Sequence, residues 1–404
     1  MIHQPLTLPC GQRLKNRFFK SAMSEGMANK HHEPTEQLIN IYKRWAEGGT
    51  SVVVTGNVMI SKEALGEPGN VVLNETSDLK PFKQWATEGS KHQTQLWMQI
   101  NHPGRQAPKS VVKQPLAPSA VSLKRKFGGL FKRPIALKEH EIQMIIQQFI
   151  TTAKLAKAAG FSGVQIHAAH GYLISQFLSP KINQRHDHYG GSLDNRMRLL
   201  IEIYQGMRKQ LGTDYPIAMK LNIADFIEGG FSKNESLYVM EKMADLGIDL
   251  IELSGGNYEN PIMTEKKSKP QESYFLQDAK AIQNRLSIPI AVTGGFRSKE
   301  HMNEALKTQK TSLIGLARPL VLYPDLTNRF LNNKLKVVQT HHLTTGIKSL
   351  DRLFGPLMSI GYYQQQMRRL SQAKPPKLKR FGGGVLIRVF LKHFHAYLIR
   401  IIFR

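Results

Sequence analysis

The chain has 404 residues, of which 41% are hydrophobic and 21% charged, a balance that excludes wholesale disorder and allows one large domain or two of ordinary size. Its single cysteine, Cys10, excludes a disulfide framework, a cysteine zinc site and an intramolecular iron–sulfur cluster. The 56 Lys and Arg residues outnumber the 30 Asp and Glu residues, and the resulting net charge of +26 favours anionic partners such as phosphorylated cofactors, nucleic acid or an anionic membrane surface.

Short runs rich in apolar and β-branched residues alternate with helix-period segments between about residues 14 and 324. Most of these runs are continuously apolar, as expected for strands that are covered by other structure on both faces. The eight predicted strands are residues 18–22, 51–55, 94–100, 163–167, 217–221, 249–253, 289–292 and 312–316.

Several segments between these strands have the periodicity of amphipathic helices. Apolar residues recur at spacings of three and four over residues 141–159, and Gly160 follows as a stop signal. The same pattern repeats over residues 197–211. Ser232 and Glu235 have the spacing of a capping box, in which the hydroxyl and the carboxylate satisfy the first amides of a helix, so a further helix is predicted to begin there.

The alternation of strands and helices determines the predicted fold class. Eight strand–helix units favour a (β/α)8 TIM barrel, and an open α/β sheet remains as the alternative. A dinucleotide-binding sheet would also carry G-x-G-x-x-G after its first strand, and this motif does not occur there. Residues 101–138 are too polar and too rich in Pro, Lys and Gly for a barrel helix, so we expect a long loop after the third strand.

Two histidines and a tyrosine follow the fourth predicted strand, at His167, His170 and Tyr172. Barrel active sites lie at the C-terminal ends of the strands, so this is a candidate site. Two imidazole N–H donors can hold a carbonyl oxygen and stabilise the charge that develops when the carbonyl is enolised. A phenol, with an ordinary pKa of about 10, can donate a proton at neutral pH. The alternatives are a metal pair, for which no third ligand is nearby, and a packing role for one histidine.

Glycines and arginines follow the last two predicted strands. Gly294, Gly295 and Arg297 come after the seventh strand, and Ala317 and Arg318 come after the eighth. A Gly-Gly pair alone is more often a turn. Barrels, however, often bind phosphate between these two loops, where glycine lets backbone N–H groups approach the oxygens and a cation completes the site. The pattern therefore predicts a phosphorylated cofactor whose reactive ring lies over the barrel mouth.

Several long motifs occur along the chain. Residues 163–180 have the sequence GVQIHAAHGYLISQFLSP, with DNR at 194–196, QINHPGR at 99–105, IELSGG at 251–256 and GLARP at 315–319. Together these motifs resemble the old yellow enzyme family, whose members are flavin mononucleotide (FMN)-dependent ene-reductases on a (β/α)8 barrel. The resemblance covers roughly residues 1–330 and implies FMN as the bound cofactor, with NADH or NADPH as the hydride donor.

The resemblance implies a role for each matching position. His167 and His170 look like the pair that binds the carbonyl oxygen of the substrate, and Tyr172 looks like the proton donor. Ser24, where threonine or cysteine is more usual, stands at the position that tunes the flavin redox potential. Lys220 stands where an arginine is usual near the flavin ring. The lysine keeps the positive charge but cannot donate the two parallel hydrogen bonds of a guanidinium. The positions implied to contact FMN are Ser21, Ala22, Met23, Ser24, Gly56, Gln99, Lys220, Gly294, Gly295, Ala317 and Arg318.

The expected activity is reduction of the C=C bond of α,β-unsaturated carbonyl compounds with hydride taken from NADH or NADPH. The tRNA dihydrouridine synthases are a rival flavin barrel, but they use a cysteine acid in a barrel-mouth loop, and Cys10 lies before the first predicted strand. The dienoyl-CoA reductases add an iron–sulfur cluster, which one cysteine cannot ligate. A non-catalytic flavin-binding scaffold at a membrane is a third alternative, and the complete set of two histidines and a tyrosine argues against it. Neither a metal ion nor a nucleic acid is expected as a partner.

The C-terminal region is strongly basic. Residues 374–404 hold eight of the Lys and Arg residues and no acid. After a linker at 373–384, the segment 385–404 places large apolar residues on one helical face, opposite Arg388, Lys392, Arg400 and Arg404. This pattern predicts a helix that lies on an anionic membrane surface. A helix docked on the barrel or on a second subunit is the alternative.

The domain organisation and location follow from these patterns. We expect an FMN-binding barrel at 1–330, an extension of undetermined packing at 331–373, and a basic linker and amphipathic tail at 374–404. The first residues lack a basic segment followed by an apolar run, so no cleaved signal is expected. No apolar run reaches the length of about 18 residues that suggests a spanning helix. The prediction is a cytoplasmic protein, for which peripheral association with the inner face of a membrane is one of the two interpretations of the tail, with room for homo-oligomers.

Overall fold

The computed structural model describes residues 1–124, 129–260, 275–340, 343–378 and 381–402. Its strands are β1 (Leu6–Thr7), β2 (Arg13–Leu14), β3 (Phe18–Lys20), β4 (Val52–Met59), β5 (Val71–Val72), β6 (Gln95–Asn101), β7 (Leu116–Ala117), β8 (Ile135–Ala136), β9 (Gly163–Ala168), β10 (Ile217–Asn222), β11 (Leu250–Ser254), β12 (Ile290–Thr293) and β13 (Leu313–Leu316). Its helices are α1 (Glu36–Glu47), α2 (Leu79–Gly89), α3 (Glu139–Ala158), α4 (Leu173–Leu178), α5 (Leu193–Leu211), α6 (Lys233–Asp245), α7 (Leu276–Gln283), α8 (Lys299–Lys307), α9 (Arg318–Leu322), α10 (Leu326–Leu331), α11 (Lys348–Ser371) and α12 (Gly383–Ile402).

Eight parallel strands close into a barrel. Neighbours pair in the order β3, β4, β6, β9, β10, β11, β12 and β13, and β13 pairs with β3 to complete the circle. This closure confirms the (β/α)8 prediction and excludes the open sheet. All eight predicted strands are present, and Ser232 and Glu235 form the predicted capping box at the start of α6.

The largest difference between the predicted and observed strand ends is at β4. The prediction, 51–55, followed the apolar run and is too short, because the strand continues to Met59. Pairing between β4 and β6 shifts register between Val54 and Asn57, after which β4 continues beside β5. Such an irregularity bends the strand and changes the direction in which its side chains point at a barrel rim. Glycine is required within it, because a Cβ at Gly56 would lie 2.0 Å from Oε2 of Glu25. The chain can therefore extend the strand and bring Gly56 close to the segment that follows β3.

Two apolar layers support the barrel. Inside it, Phe19, Val54 and Trp97 belong to a fully buried cluster that also contains Leu8 and Leu14 of the N-terminal hairpin. Outside it, the barrel helices bury their apolar stripes against the strands, as predicted for residues 141–159. Because the hairpin side chains fill one end of the barrel, we expect ligands at the other end, where the strands terminate.

The two C-terminal helices pack as a pair beside the barrel. Helix α11 lies against α1 and α9, and α12 lies against α11. Their close approach depends on Gly361, where a Cβ would be 2.4 Å from Cγ2 of Val389. The rings of Phe354 and Phe390 meet edge-on, with centroids 5.7 Å apart. Among the helices described, none combines the length and the apolar character that crossing a bilayer requires.

Candidate active site

The strand-to-helix turn after β9 brings two histidines and a tyrosine together. His167 lies within β9, while Tyr172 immediately precedes α4. His170 has a φ of +60°, so the chain reverses sharply between them. The ring centroid of His167 is 5.0 Å from that of His170 and 4.8 Å from that of Tyr172, both in edge-to-face geometry. The three rings therefore form one cluster at the C-terminal end of the barrel.

Both imidazoles are neutral at pH 7. Burial, with a smaller effect of the Lys220 ammonium, lowers the pKa of His170 to about 3. Burial, followed by His170 and Lys220, also holds the pKa of His167 well below its ordinary value. Nδ1 of His167 accepts a hydrogen bond from the N–H of Ala169 at 3.2 Å, so its proton is on Nε2. Nε2 of His170 lies 2.5 Å from Oγ of Ser254, and with that hydroxyl as donor the His170 proton is on Nδ1. Each ring then offers one N–H.

The tyrosine hydroxyl belongs to a pair of phenols. It lies 3.1 Å from the hydroxyl of Tyr258, a residue of the loop after β11, and either oxygen can donate. The side chain of Asn57 also reaches the Tyr172 hydroxyl. Burial raises the pKa of Tyr172, and burial together with the Tyr172 hydroxyl raises the pKa of Tyr258 well above its ordinary value. Both phenols therefore keep their protons at neutral pH.

A buried polar network connects the strands below this cluster. The Nζ of Lys220 lies 3.3 Å from Oε2 of Glu252, which accepts a hydrogen bond from Nε2 of Gln165 at 2.9 Å. The other oxygen of Glu252 accepts from the Thr293 hydroxyl at 2.8 Å, and that hydroxyl is 2.6 Å from Oγ of Ser21. Strand register explains the ion pair, because Lys220 pairs with His167 on one side and with Glu252 on the other. The cation is thus held beside the histidines.

The segment after β3 is engaged by a distant part of the chain. The Ser24 hydroxyl donates to the Glu67 carboxylate. Nε2 of Gln364, in α11, donates to Oγ of Ser24 at 2.7 Å and to Oε2 of Glu67 at 2.8 Å. Ala22 and Met23 are half-buried in the same segment. The C-terminal extension therefore reaches Ser24, the position to which the family resemblance gives a role in redox tuning.

The side chains at this mouth fit the ring of FMN. Nε2 of Gln99 donates to Oδ1 of Asn57 at 2.6 Å, but its Oε1 is buried and has no hydrogen-bond partner in the described residues. A buried acceptor without a partner is costly, and a ring imide N–H would satisfy it. Lys220 adds a positive charge, which suits a ring that becomes anionic on reduction.

The loops after β12 and β13 fit a phosphate group. Gly294 and Gly295 have φ values of +100° and +82°, and a Cβ at Gly294 would meet no atom within 4 Å. Burial lowers the pKa of Arg297 to about 10, and the neighbouring Arg318 contributes to the shift. Within the described ranges, no ion pair joins either guanidinium to a carboxylate. Two adjacent cations beside open glycine backbone form a surface that favours an anion.

The predicted site residues share one end of the barrel. Each lies in or directly after a barrel strand: Ser21, Ala22, Met23 and Ser24 after β3, Gly56 in β4, Gln99 in β6, His167 in β9, His170 and Tyr172 after β9, Lys220 in β10, Gly294 and Gly295 after β12, and Ala317 and Arg318 after β13. The sequence reasoning missed Glu67, Glu252, Tyr258 and Gln364. Glu252 carried a usable signal, because a carboxylate inside the otherwise apolar segment LIELS needs a partner.

Comparison with known proteins supports the motif assignments. Residues 1–336 match the family described as NADH:flavin oxidoreductase / NADH oxidase. The chain is 34% identical over 355 residues to the NADH-dependent flavin oxidoreductase iliE of Hypocrea jecorina. That alignment covers 81% of this chain and 88% of the relative.

Two solved structures share the fold. The old yellow enzyme homologue from Zymomonas mobilis superposes with a TM-score of 0.72 at 26% identity, covering 83% of this chain and 94% of that one. A 2-naphthoyl-CoA reductase in complex with 2-naphthoyl-CoA superposes with a TM-score of 0.76 at 27% identity, covering 82% of this chain and 52% of that one. The similarity thus extends over the barrel in both cases.

Proposed function

The chain belongs to the NADH:flavin oxidoreductase / NADH oxidase family, and from this membership we propose that it is an FMN-dependent ene-reductase. Its substrates are α,β-unsaturated carbonyl compounds, and its hydride donor is NADH or NADPH. One observation carries the proposal: two neutral imidazoles and a protonated phenol meet at one barrel mouth, with ring centroids within 5.0 Å of His167. The similarity to a 2-naphthoyl-CoA reductase also supports a conjugated carbonyl substrate.

The histidines bind and polarise the substrate carbonyl. Nε2–H of His167 is left free by its other hydrogen bond, and Nδ1–H of His170 is the second donor when the Ser254 hydroxyl donates to Nε2 of His170. Donors that are already oriented stabilise the enolate oxygen as its charge develops, without a cost of reorganisation at that moment. Because both rings are neutral, they hold this oxygen by hydrogen bonds and do not transfer a full proton to it.

The phenol of Tyr172 delivers the proton that completes the reduction. Its raised pKa keeps it protonated, and its hydroxyl is held by Tyr258 and Asn57. The enolate α-carbon takes this proton, Tyr172 regains one from Tyr258 through the 3.1 Å contact, and solvent water reprotonates the half-buried Tyr258.

The cofactor would be held by residues of the mouth that border the histidines and by the loops after β12 and β13. Gln99, Lys220 and the segment 21–24 would contact its ring, while Arg318 and the two glycines after β12 would hold its phosphate. The chemistry that FMN supplies when bound is hydride transfer, from the nicotinamide to the β-carbon of the substrate. The protein would orient the substrate against the cofactor ring, and the burial of His167 limits the access of water to the imidazole that binds the carbonyl.

The proposal predicts a yellow protein that couples NADH or NADPH oxidation to alkene reduction. Purified protein should show flavin absorbance and should oxidise the nicotinamide without oxygen when cinnamaldehyde or 2-cyclohexenone is added. The saturated carbonyl compounds, cyclohexanone and 3-phenylpropanal, are matched controls that should give no oxidation. Product analysis should find the C=C bond reduced and the carbonyl intact. If oxidation depended only on oxygen and no saturated product formed, the ene-reductase proposal would be wrong.

We further propose that the outer face of α12 lies on an anionic membrane surface. Two of its cations, Lys392 and Arg400, are half-buried toward the barrel, where Nη1 of Arg400 donates to the carbonyl of Val112 at 2.9 Å, and Arg388 is exposed. The apolar side is left outside, with Ile387 61%, Leu391 59% and Phe394 59% exposed. The surrounding segment 374–404 has eight cations and no acid, which favours anionic lipid over a neutral surface or a second copy of this basic chain.

A flotation assay tests the membrane proposal. The protein should float with vesicles that contain phosphatidylserine and should stay in the soluble fraction with phosphatidylcholine alone. The double variant Leu391→Ser/Phe394→Ser should lose most of this binding, because it removes two large apolar side chains from the contact. The control is Ile135→Ser/Met144→Ser, which changes exposed apolar residues on the barrel. Equal distribution of the wild type with both vesicle types, or a dimer by light scattering that the double variant abolishes, would overturn the proposal.

A further inference from the structure

The inner side of α12 lies across the loop that follows β6. Nδ1 of His393 is 3.0 Å from Oγ of Ser110. Arg400 donates to the carbonyl of Val112, two residues further along the same loop. These contacts fix the helix at the rim of the barrel mouth. The position of Lys392, next to His393, is thereby fixed as well.

Lys392 extends from α12 to the segment that carries Ser24. Its Nζ is so close to the backbone of Gly26 that a Cβ at Gly26 would lie 2.4 Å from it. The side chain is half-buried, yet within the described part of the chain its ammonium makes no hydrogen bond and no ion pair. Partial burial without a partner disfavours the charged form of an ammonium, and a bound anion would supply the missing partner.

The neighbouring carboxylate cannot fully compensate this charge. Glu67 stabilises the Lys392 ammonium only at a distance, since burial remains the larger effect and lowers the Lys392 pKa. Both oxygens of Glu67 are already bonded, to Ser24 and to Gln364. Glu67 is also near enough to Tyr172 to raise the pKa of its phenol. Glu67 therefore lies within electrostatic range of both the Lys392 ammonium and the Tyr172 phenol.

We propose that Lys392 is a second anion-binding residue of the barrel mouth, separate from Arg297 and Arg318, and that it recognises a negatively charged group on a ligand of the reaction. The two sources of such a group are a carboxylate on the unsaturated substrate and a phosphate of the nicotinamide dinucleotide. The inference rests on the proposed ene-reductase function. It adds that the C-terminal extension, which lies outside the family match at 1–336, contributes a specificity-determining residue.

The test compares a neutral and an anionic probe of the same shape. Cinnamaldehyde and its para-carboxylate derivative differ by one charge distal to the alkene. Lys392→Met removes the ammonium and keeps a long side chain, whereas Lys392→Arg keeps the charge. Arg388→Met is the matched control, because Arg388 is an exposed cation on the same helix with only a 3.5 Å contact to Gln365. Calorimetric dissociation constants and steady-state KM values are measured for both probes, and the NADH dissociation constant comes from rates of flavin reduction.

Lys392→Met should weaken binding of the carboxylate probe by about 10- to 100-fold, the loss expected for one charge-assisted hydrogen bond, and leave cinnamaldehyde unchanged. Lys392→Arg should restore most of the loss, and Arg388→Met should behave as wild type. If only the NADH dissociation constant rises, the anion is the dinucleotide phosphate. If Lys392→Met changes neither ligand more than Arg388→Met does, the inference is wrong. Failure of the ene-reductase proposal is a separate result, because the wild type would then reduce neither probe.

Discussion

Replacing Tyr172 by phenylalanine should slow alkene reduction by about 10²- to 10⁴-fold, the usual contribution of a positioned general acid. The substitution removes the hydroxyl that lies 3.1 Å from Tyr258 and keeps the ring that packs on His167. Reduction of the flavin by NADH needs no proton from this phenol, so its rate should stay within a few-fold of wild type. Anaerobic stopped-flow experiments that follow the two half-reactions separately will measure both effects.

Tyr258→Phe is the matched control for this variant. It removes the same chemical group from the other member of the phenol pair and leaves the Tyr172 hydroxyl in place. Because Tyr258 acts through Tyr172, alkene reduction should fall less than in Tyr172→Phe, and the Tyr172→Phe/Tyr258→Phe double variant should resemble Tyr172→Phe alone. An equal loss in both half-reactions of Tyr172→Phe would show that Tyr172 is not the proton donor.

Replacing either His167 or His170 by alanine should lower kcat/KM for enones by about 10²-fold or more, as loss of one preorganised donor to a developing oxyanion does. The losses should not add in the double variant. Each single variant keeps one donor, which holds the oxygen only loosely, so most of the stabilisation is already lost with the first substitution. His170→Ala is the more informative of the two variants, because His167 is 2% exposed and its truncation would also leave a cavity. The measurements are steady-state kinetics with 2-cyclohexenone, flavin content and the rate of flavin reduction by NADH.

Retained flavin content and retained reduction by NADH would assign the effect to substrate binding and activation. Conversely, if His170→Ala reduced enones at the wild-type rate, the ring would have only a structural role through its bond with Ser254. Loss of flavin in both variants, with normal kinetics per bound flavin, would likewise contradict the proposed carbonyl-binding role.

Much of the fold could be predicted from the sequence because its signals are local. Continuous apolar runs mark strands that are covered on both faces, and the capping box at Ser232 marks a helix start without reference to distant residues. The family-like motif at 163–180 likewise identified the histidines and the tyrosine, whose cluster depends on one short turn after β9. The strand end at β4 was wrong because the register shift near Gly56 depends on pairing with β6.

The sequence by itself determined the barrel, the residues at its mouth and the amphipathic character of the tail, since each follows from spacing within a short segment. Only the tertiary structure decided which residues meet across the mouth. Gln364 bonds Ser24 although the two are 340 residues apart, and Tyr258 reaches Tyr172 from the loop after β11. It also decided that Lys392 and Arg400 of α12 turn toward the barrel while Arg388 stays exposed, because helical periodicity separates two faces but does not specify what each one contacts.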